Sequence, residues 1–270
     1  MTLATTIQTL QSKLNDTCHE NMGQGRVLQT GWSGIDVDLG GGLLAGALHE
    51  WFGLAARGHN VASLRTWSPP ICVLVHLAWQ ALEASSRTRW IVWVGRRCFP
   101  YPSILVRGRG TDHRLLERSL FVTAHSANDR LWAIDLALRS SSVGVVIADG
   151  STFSMAATRR VQLLAQRHQT LALMVRPPWE QGELSAAQSR WLIRWEPHAS
   201  TTKSVLLKPR WSVQLLRCKG VQYEKAHTTW ALEWNSDTST LNLSSEMVRQ
   251  ARSSKEEQAC DRPHGMYRPA

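Results

Sequence analysis

The strand–helix–strand pattern of residues 143–177 decides the fold class. VGVVIADG (143–150) is a nearly continuous apolar run, SMAATRRVQLLAQRHQ (154–169) has helical periodicity, and TLALMVRP (170–177) is a second apolar run. Strands that are apolar throughout are typical of parallel sheets covered on both faces. A helix is the usual connection between two such strands. The stretch therefore predicts two buried parallel strands joined by a helix.

The same alternation of strand and helix continues towards the N-terminus. The predicted strands are ALHEWFG (47–53), WIVWVG (90–95) and RSLFVTA (118–124), and the predicted helices cover 71–84 and 127–140. Ser68-Pro69-Pro70, just before the first of these helices, is typical of a helix start, with Ser68 as the N-cap and proline in the first turn. This order of elements predicts a three-layer α/β domain with a mostly parallel sheet.

The C-terminal part of the pattern contains strands only. The three segments are SRWLIRWEP (189–197), KPRWSVQLLRCKG (208–220) and TTWALEWN (228–235). Apolar residues alternate with polar ones at Trp211, Val213 and Leu215, which indicates a strand with one covered face. We therefore expect all three segments to be antiparallel additions to the sheet.

The chain divides into three parts. Residues 1–25 are polar with a few apolar residues at helical spacing, and they are predicted to form a short helix and a linker. Residues 26–243 form the predicted core domain. Residues 244–270 are polar and charged, and they are predicted to be a disordered tail.

Composition narrows the functional classes. The chain has 31 lysines and arginines against 21 acidic residues, a formal net charge of +10. Such an excess suits a nucleic-acid surface or an acidic protein partner, and basic proteins that bind neither also have it. The five cysteines are widely spaced without a C-x-x-C motif, so neither a disulfide framework nor a zinc site is expected. No apolar run reaches the roughly 18 residues of a membrane span, and we expect a cytoplasmic protein.

A possible phosphate-binding loop follows the first predicted strand. GLAARGHN (53–60) has the G-x-x-x-x-G spacing of such loops. In a working loop the second glycine is followed by Lys, which contacts the β and γ phosphates, and by Ser or Thr, which binds Mg²⁺. Here His59 and Asn60 stand at those positions. The spacing therefore survives without the two side chains that the chemistry needs.

Four segments, in this order, carry a family resemblance. They are VLQTGWSGIDVDLGGGLLAGALHEWFG (27–53), TDHRLLERSLFVTAHSANDRLWAIDLALRSSSVGVVIADG (111–150), TRRVQLLAQRHQTLALMVRP (158–177) and SAAQSRWLIRW (185–195). Together with the Arg- and Trp-rich strands that follow, they resemble a RecA-like ATPase core, and more closely the ImuA family of bacterial mutagenesis proteins. The resemblance covers about residues 26–236 and implies a RecA-like, P-loop NTPase-type fold.

The resemblance also locates a degenerate nucleotide site. It implies that Gly53, Gly58, His59 and Asp149 correspond to the nucleotide-binding positions. RecA-like ATPases carry an acidic residue after the second strand to orient the attacking water, whereas this chain has Arg96 and Arg97 there. A guanidinium cannot act as a general base. We therefore expect no ATP hydrolysis and no cofactor.

Asp149 allows two interpretations. The resemblance places it where the metal-associated acid stands in an ATPase. An aspartate that ends a strand before glycine is also a common turn residue, and we favour that interpretation.

The implied function is that of a non-enzymatic accessory protein in DNA-damage-induced (SOS) mutagenesis and translesion DNA synthesis. The implied partners are an ImuB-type polymerase-like subunit, an error-prone replicative-type DNA polymerase and the RecA recombinase. Two alternatives stay open. One is an active or regulatory RecA-like ATPase that binds DNA, and the other is a SulA-like inhibitor of cell division.

Arginines are the candidate contact residues. Six of them lie near predicted strand ends, loops or a helix start: Arg96, Arg97, Arg107, Arg109, Arg159 and Arg160. Together they would make a surface for DNA phosphates or for an acidic partner. The alternative is an ordinary solvated face.

Arginine–tryptophan pairs in the C-terminal strands suggest a second kind of contact. The pairs are Arg190-Trp191, Arg194-Trp195 and Arg210-Trp211. Tryptophans next to arginines can stack the bases of single-stranded DNA. However, neighbouring residues of a strand point to opposite faces, so we favour core tryptophans with solvent-facing arginines.

Overall fold

The computed structural model describes residues 26–55, 67–85, 89–196, 209–221, 228–235, 238 and 240–244. The first half contains β1 (Val27–Leu28), α1 (Ser33–Asp38), β2 (Leu43–Leu44), β3 (Leu48–Phe52), β4 (Leu54–Ala55), β5 (Trp67–Ser68), α2 (Ile71–Glu83), β6 (Trp90–Val94), α3 (Arg114–Glu117) and β7 (Ser119–Val122). The second half contains α4 (Ala127–Arg139), β8 (Val143–Asp149), α5 (Met155–His168), β9 (Leu171–Arg176), β10 (Ser189–Glu196), β11 (Arg210–Cys218), β12 (Thr229–Asn235) and β13 (Thr240–Leu243). The predicted N-terminal helix and nearly all of the predicted tail lie outside these residues.

A nine-stranded sheet organises the molecule, in the order β13-β12-β11-β10-β3-β9-β8-β6-β7. The six strands from β10 to β7 are parallel to one another. The strands β11, β12 and β13 continue the sheet with antiparallel pairing. The mostly parallel sheet predicted from the sequence is therefore confirmed.

The direction of β10 was predicted wrongly. This strand is antiparallel to β11 but parallel to β3, with Ser189 opposite His49. Residues 177–188 return the chain to the starting end of the sheet through a short 3₁₀ helix, Pro178–Glu180, and an extended stretch. Because this return contains no long helix, the sequence pattern gave no sign of a parallel crossover.

Helices cover both faces of the parallel part. On one face, α2 packs on a core that includes the stacked rings of Trp51 and Trp191, whose centroids are 5.1 Å apart. On the other face, α4 and α5 pack side by side over a smaller aliphatic core. The helix α4 begins with a capping box, in which Ser126 and Asp129 each accept a hydrogen bond from the other's backbone N–H.

The start of α2 differs from the prediction. Its N-cap is Pro70, and Ser68 instead belongs to β5, where it pairs with Leu54 of β4. A tertiary contact thus overrides the local capping signal of the Ser-Pro-Pro sequence. The two-stranded β4–β5 ribbon separates the end of β3 from the start of α2.

Candidate functional site

The carboxyl ends of the parallel strands form the candidate site, because open α/β sheets bind their ligands at this edge. Gly53 directly follows β3, Asp149 ends β8, and Arg97 lies in the 3₁₀ turn Arg96–Cys98 after β6. The fold therefore brings four sequence-predicted residues to one edge, namely Gly53, Arg96, Arg97 and Asp149. Gly58 and His59 lie outside the described residues.

Gly53 is a packing residue. A Cβ atom placed on it would lie 2.4 Å from the carbonyl oxygen of Ser68 and 2.4 Å from Cε3 of Trp67. Its backbone N–H donates to the carbonyl oxygen of Arg176 at 2.9 Å. The close passage of β5 over the end of β3 thus accounts for this glycine without a phosphate ligand.

Trp67 and Arg97 extend this contact along the edge. Trp67 is buried, and the guanidinium carbon of Arg97 lies 5.0 Å from the centroid of its ring. The Nε atom of Arg97 lies 3.6 Å from Oδ2 of Asp149. A residue that is permanently cationic therefore stands beside the one acid that the resemblance assigns to metal binding.

The second carboxylate oxygen of Asp149 closes a turn. Oδ1 accepts hydrogen bonds from the backbone N–H of Ser151 at 2.9 Å and from its hydroxyl at 2.6 Å. This is the geometry of an Asx-turn, and it supports the turn interpretation of Asp149. Arg130 fastens the same turn, because its guanidinium donates to the carbonyl oxygens of Asp149 and Ser151, each at 2.8 Å.

The chemistry available at this edge is limited. Within the described ranges, no three His, Cys, Asp or Glu side chains come together as candidate metal ligands. The positive charge near Asp149 is supplied by Arg97 and Arg130. An Mg²⁺ ion placed against Oδ2 of Asp149 would face the guanidinium of Arg97 at close range, and the like charges would repel.

The candidate arginines do not form one continuous surface. Arg107 lies over the ring of Trp79 of α2, at 4.6 Å, and forms an ion pair with Glu83 at 3.0 Å. Arg159 and Arg160 belong to α5, on the opposite face of the sheet. Arg96 is exposed at the carboxyl edge. The side chain of Arg109 lies outside the description.

The arginine–tryptophan pairs behave differently from one another. Trp191 is in the core as predicted, but Arg190 is buried as well, so the solvent-facing position predicted for it is wrong. Trp195 is 45% exposed and meets Trp211 edge to face at 5.9 Å, so its predicted core position is also wrong. Arg190 and Trp191 still point to opposite faces of the strand, but both faces are covered here, and the face of Arg190 carries a buried acid.

That acid is Glu50, and sequence analysis missed its role. Its Oε1 accepts from Arg176 at 3.0 Å and its Oε2 from Arg190 at 2.8 Å, and Glu50 is fully buried. Arg176 also pairs with Glu180 at 2.7 Å. This network fastens the return segment 177–188 to β3. Opposite charges inside otherwise apolar strands were the available signal.

Two buried histidines are structural. His49 lies 2.6 Å from the Ser189 hydroxyl and 2.9 Å from the carbonyl oxygen of Leu44, and burial lowers its pKa to about 4. His76 lies 2.7 Å from the carbonyl oxygen of Thr30 and stacks on Trp32, and burial lowers its pKa to about 4 as well. Both rings are neutral near pH 7. His49 joins Leu44 to the sheet, and His76 joins Thr30 to α2.

The sheet order and the helices on both faces define a three-layer α/β fold. The solved structure of a RadB recombinase is similar, with a TM-score of 0.55 and 14% sequence identity over 80% of this chain and 99% of that one. The predicted RecA-like fold is confirmed by this likeness, which concerns the fold alone. No protein-family model and no curated protein sequence matches the chain. No helix in the described part of the chain is long and apolar enough to cross a membrane.

Proposed function

We propose that this chain is a non-enzymatic accessory protein of DNA-damage-induced mutagenesis, in which a RecA-like fold serves as a binding scaffold. The observation that carries the proposal is the chain of contacts from Gly53 through Trp67 and Arg97 to Asp149. It occupies the edge at which an ATPase of this fold would bind its nucleotide.

The proposed absence of ATP hydrolysis is supported by the charges at this edge. Hydrolysis needs a cation held by the strand-ending acid and a base that orients water. Here Asp149 is engaged by Ser151 and Arg97, and arginines follow β6 where the base would stand. A site of this composition holds and splits a triphosphate poorly. The fold then serves to bind partner proteins.

The partners follow from the resemblance to the ImuA family. We propose that the chain binds an ImuB-type polymerase-like subunit and, with it, an error-prone replicative-type polymerase, and that it also contacts RecA. The net charge of +10 supports an acidic protein partner or DNA as the binding target.

Two linked experiments test the proposal. The full-length chain, co-expressed with the polymerase-like subunit, is expected to purify as a complex without added nucleotide. A deletion strain is expected to lose damage-induced mutagenesis and to regain it with either the wild-type gene or the Asp149→Asn variant. If the wild type hydrolyses ATP and restores mutagenesis, and Asp149→Asn does neither, the chain is an active ATPase instead.

A further inference from the structure

The helices α4 and α5 expose large apolar side chains on the face that points away from the sheet. Trp132 is 67% exposed, Leu136 is 58% exposed and Leu163 is 53% exposed. Trp132 and Leu136 are four residues apart and so lie on one side of α4. Trp132 is the most exposed tryptophan in the described part of the chain.

Cations lie near these apolar residues by helical spacing, because Arg139 is three residues after Leu136, and Arg159 and Arg167 are each four residues from Leu163. The exposed charged residues of the two helices are Arg139, Arg159, Arg160, Arg167 and Asp129. Asp129, the one acid among them, belongs to the capping box of α4. The helix α5 contains no acidic residue. The surface thus combines an apolar centre with a basic rim.

The acid between the two helices is paired with two arginines. Asp135 lies 2.6 Å from Nε of Arg139 and 2.9 Å from Nε of Arg160. Burial alone would raise the pKa of Asp135, but hydrogen bonds from both arginines outweigh it and lower the pKa. Two guanidinium groups face one carboxylate, so cationic hydrogen-bond donors are left over for a partner.

One of these ion pairs links the two helices. Arg160 of α5 contacts Asp135 of α4 at 2.9 Å, and a capping box begins α4. Exposed tryptophan and arginine side chains on such a surface are also the residue types most often found at binding hot spots.

We propose that Trp132, Leu136 and Leu163, with the arginines around them, form a docking surface (the α4–α5 surface) for an acidic protein segment that carries apolar anchor residues. Two of its three apolar residues are leucines, which have no ring on which a nucleic-acid base could stack. Apolar centres with polar rims are instead the usual anatomy of protein interfaces. This proposal deepens the proposed function, because it assigns a surface to the polymerase-like subunit.

The test measures binding of the full-length chain to the purified ImuB-type polymerase-like subunit by biolayer interferometry. Trp132→Ala and Leu136→Ala are each expected to weaken binding by about tenfold or more. Arg159→Glu is expected to weaken binding and to make it less sensitive to salt. Tyr101→Ala and Leu184→Ala, which remove side chains 81% and 76% exposed elsewhere, serve as matched controls and are expected to bind like the wild type.

The outcomes separate the two proposals. If the wild type does not bind the subunit, the proposed function fails and this inference fails with it. If the wild type binds and Trp132→Ala binds equally well, only the α4–α5 surface is refuted. If the variants keep subunit binding but lose binding to labelled single-stranded oligodeoxythymidine, the surface is a nucleic-acid site and the inference is overturned. Circular dichroism melts check that each variant folds, and these exposed substitutions are expected to leave the melting curve unchanged.

Discussion

Arg97 and Asp149 face each other at the carboxyl edge of the parallel sheet, with 3.6 Å between Nε and Oδ2. The two residues come from neighbouring strands, because Arg97 follows β6 and Asp149 ends β8. Arg97 therefore stands as a counter-ion beside Asp149. The side chain of Arg97 is 46% exposed, so the pair itself contributes little to stability.

The turn role of Asp149 predicts a graded mutational response. Asp149→Ala removes the acceptor of both Ser151 hydrogen bonds and is expected to lower the free energy of unfolding by about 1–2 kcal/mol. Asp149→Asn retains a side-chain oxygen for an Asx-turn and is expected to lose less. Urea denaturation of the three proteins measures this, with and without Mg²⁺. A metal site would instead show a wild type that Mg²⁺ stabilises and two variants that it does not.

Gly53 is predicted to be intolerant of any side chain for reasons of packing. Gly53→Ala places a methyl group 2.4 Å from the Ser68 carbonyl oxygen, so β5 has to shift. We expect a loss of about 1–3 kcal/mol in the free energy of unfolding, as for other overpacked sites. Gly182→Ala is the matched control, because a Cβ there meets nothing within 4 Å. Equal denaturation midpoints for the two variants would refute this account of Gly53.

The buried network around Glu50 is predicted to be a major determinant of stability. Glu50→Gln removes the shared counter-ion of Arg176 and Arg190, whose side chains are both buried. Breaking a buried ion pair in this way costs about 3–5 kcal/mol. Exposed Glu183→Gln, the control, is expected to change stability by less than about 0.5 kcal/mol. Thermal and chemical denaturation compare the two, and a small effect at Glu50 would show that the network is dispensable.

The two buried histidines predict a loss of stability in mild acid. Their pKa values of about 4 in the folded protein lie below the ordinary value of 6.5, so the unfolded chain binds more protons between these limits. Their contribution is complete above about pH 6.5 and falls as the pH drops towards 4. The double variant His49→Gln, His76→Gln is expected to flatten the dependence of unfolding free energy on pH between 5 and 6.5. A double variant that kept the wild-type slope would contradict the prediction.

Much of the fold was predictable from sequence because its signals are local. The buried strands β8 and β9 read as continuous apolar runs, and α5 between them has clear helical spacing. The direction of β10 was not predictable, since it depends on a return segment held by Glu50 and Arg190 from distant parts of the chain. For the same reason, the local sequence predicts Ser68 as a helix N-cap, whereas the residue pairs with Leu54 in the β4–β5 ribbon.

The residues of the candidate site were predictable from the sequence, but the contacts between them were not. Arg97 and Asp149 were both identified from their places after strands, but nothing in the sequence indicated that Trp67 fills the space beside Gly53. The exposure of Trp132 and Leu136 was not predictable either, because the apolar periodicity of α4 does not distinguish a core face from a surface patch. Tertiary neighbours, which a single sequence does not specify, decide both features.

We propose that the RecA-like core neither binds nor splits a triphosphate. Isothermal titration of the full-length chain with Mg-ATP, paired with a phosphate-release assay, tests it most directly. We predict no heat of binding and no phosphate release above the level of the buffer, for the wild type and for Asp149→Asn alike. Saturable binding with turnover that Asp149→Asn abolishes would contradict the claim.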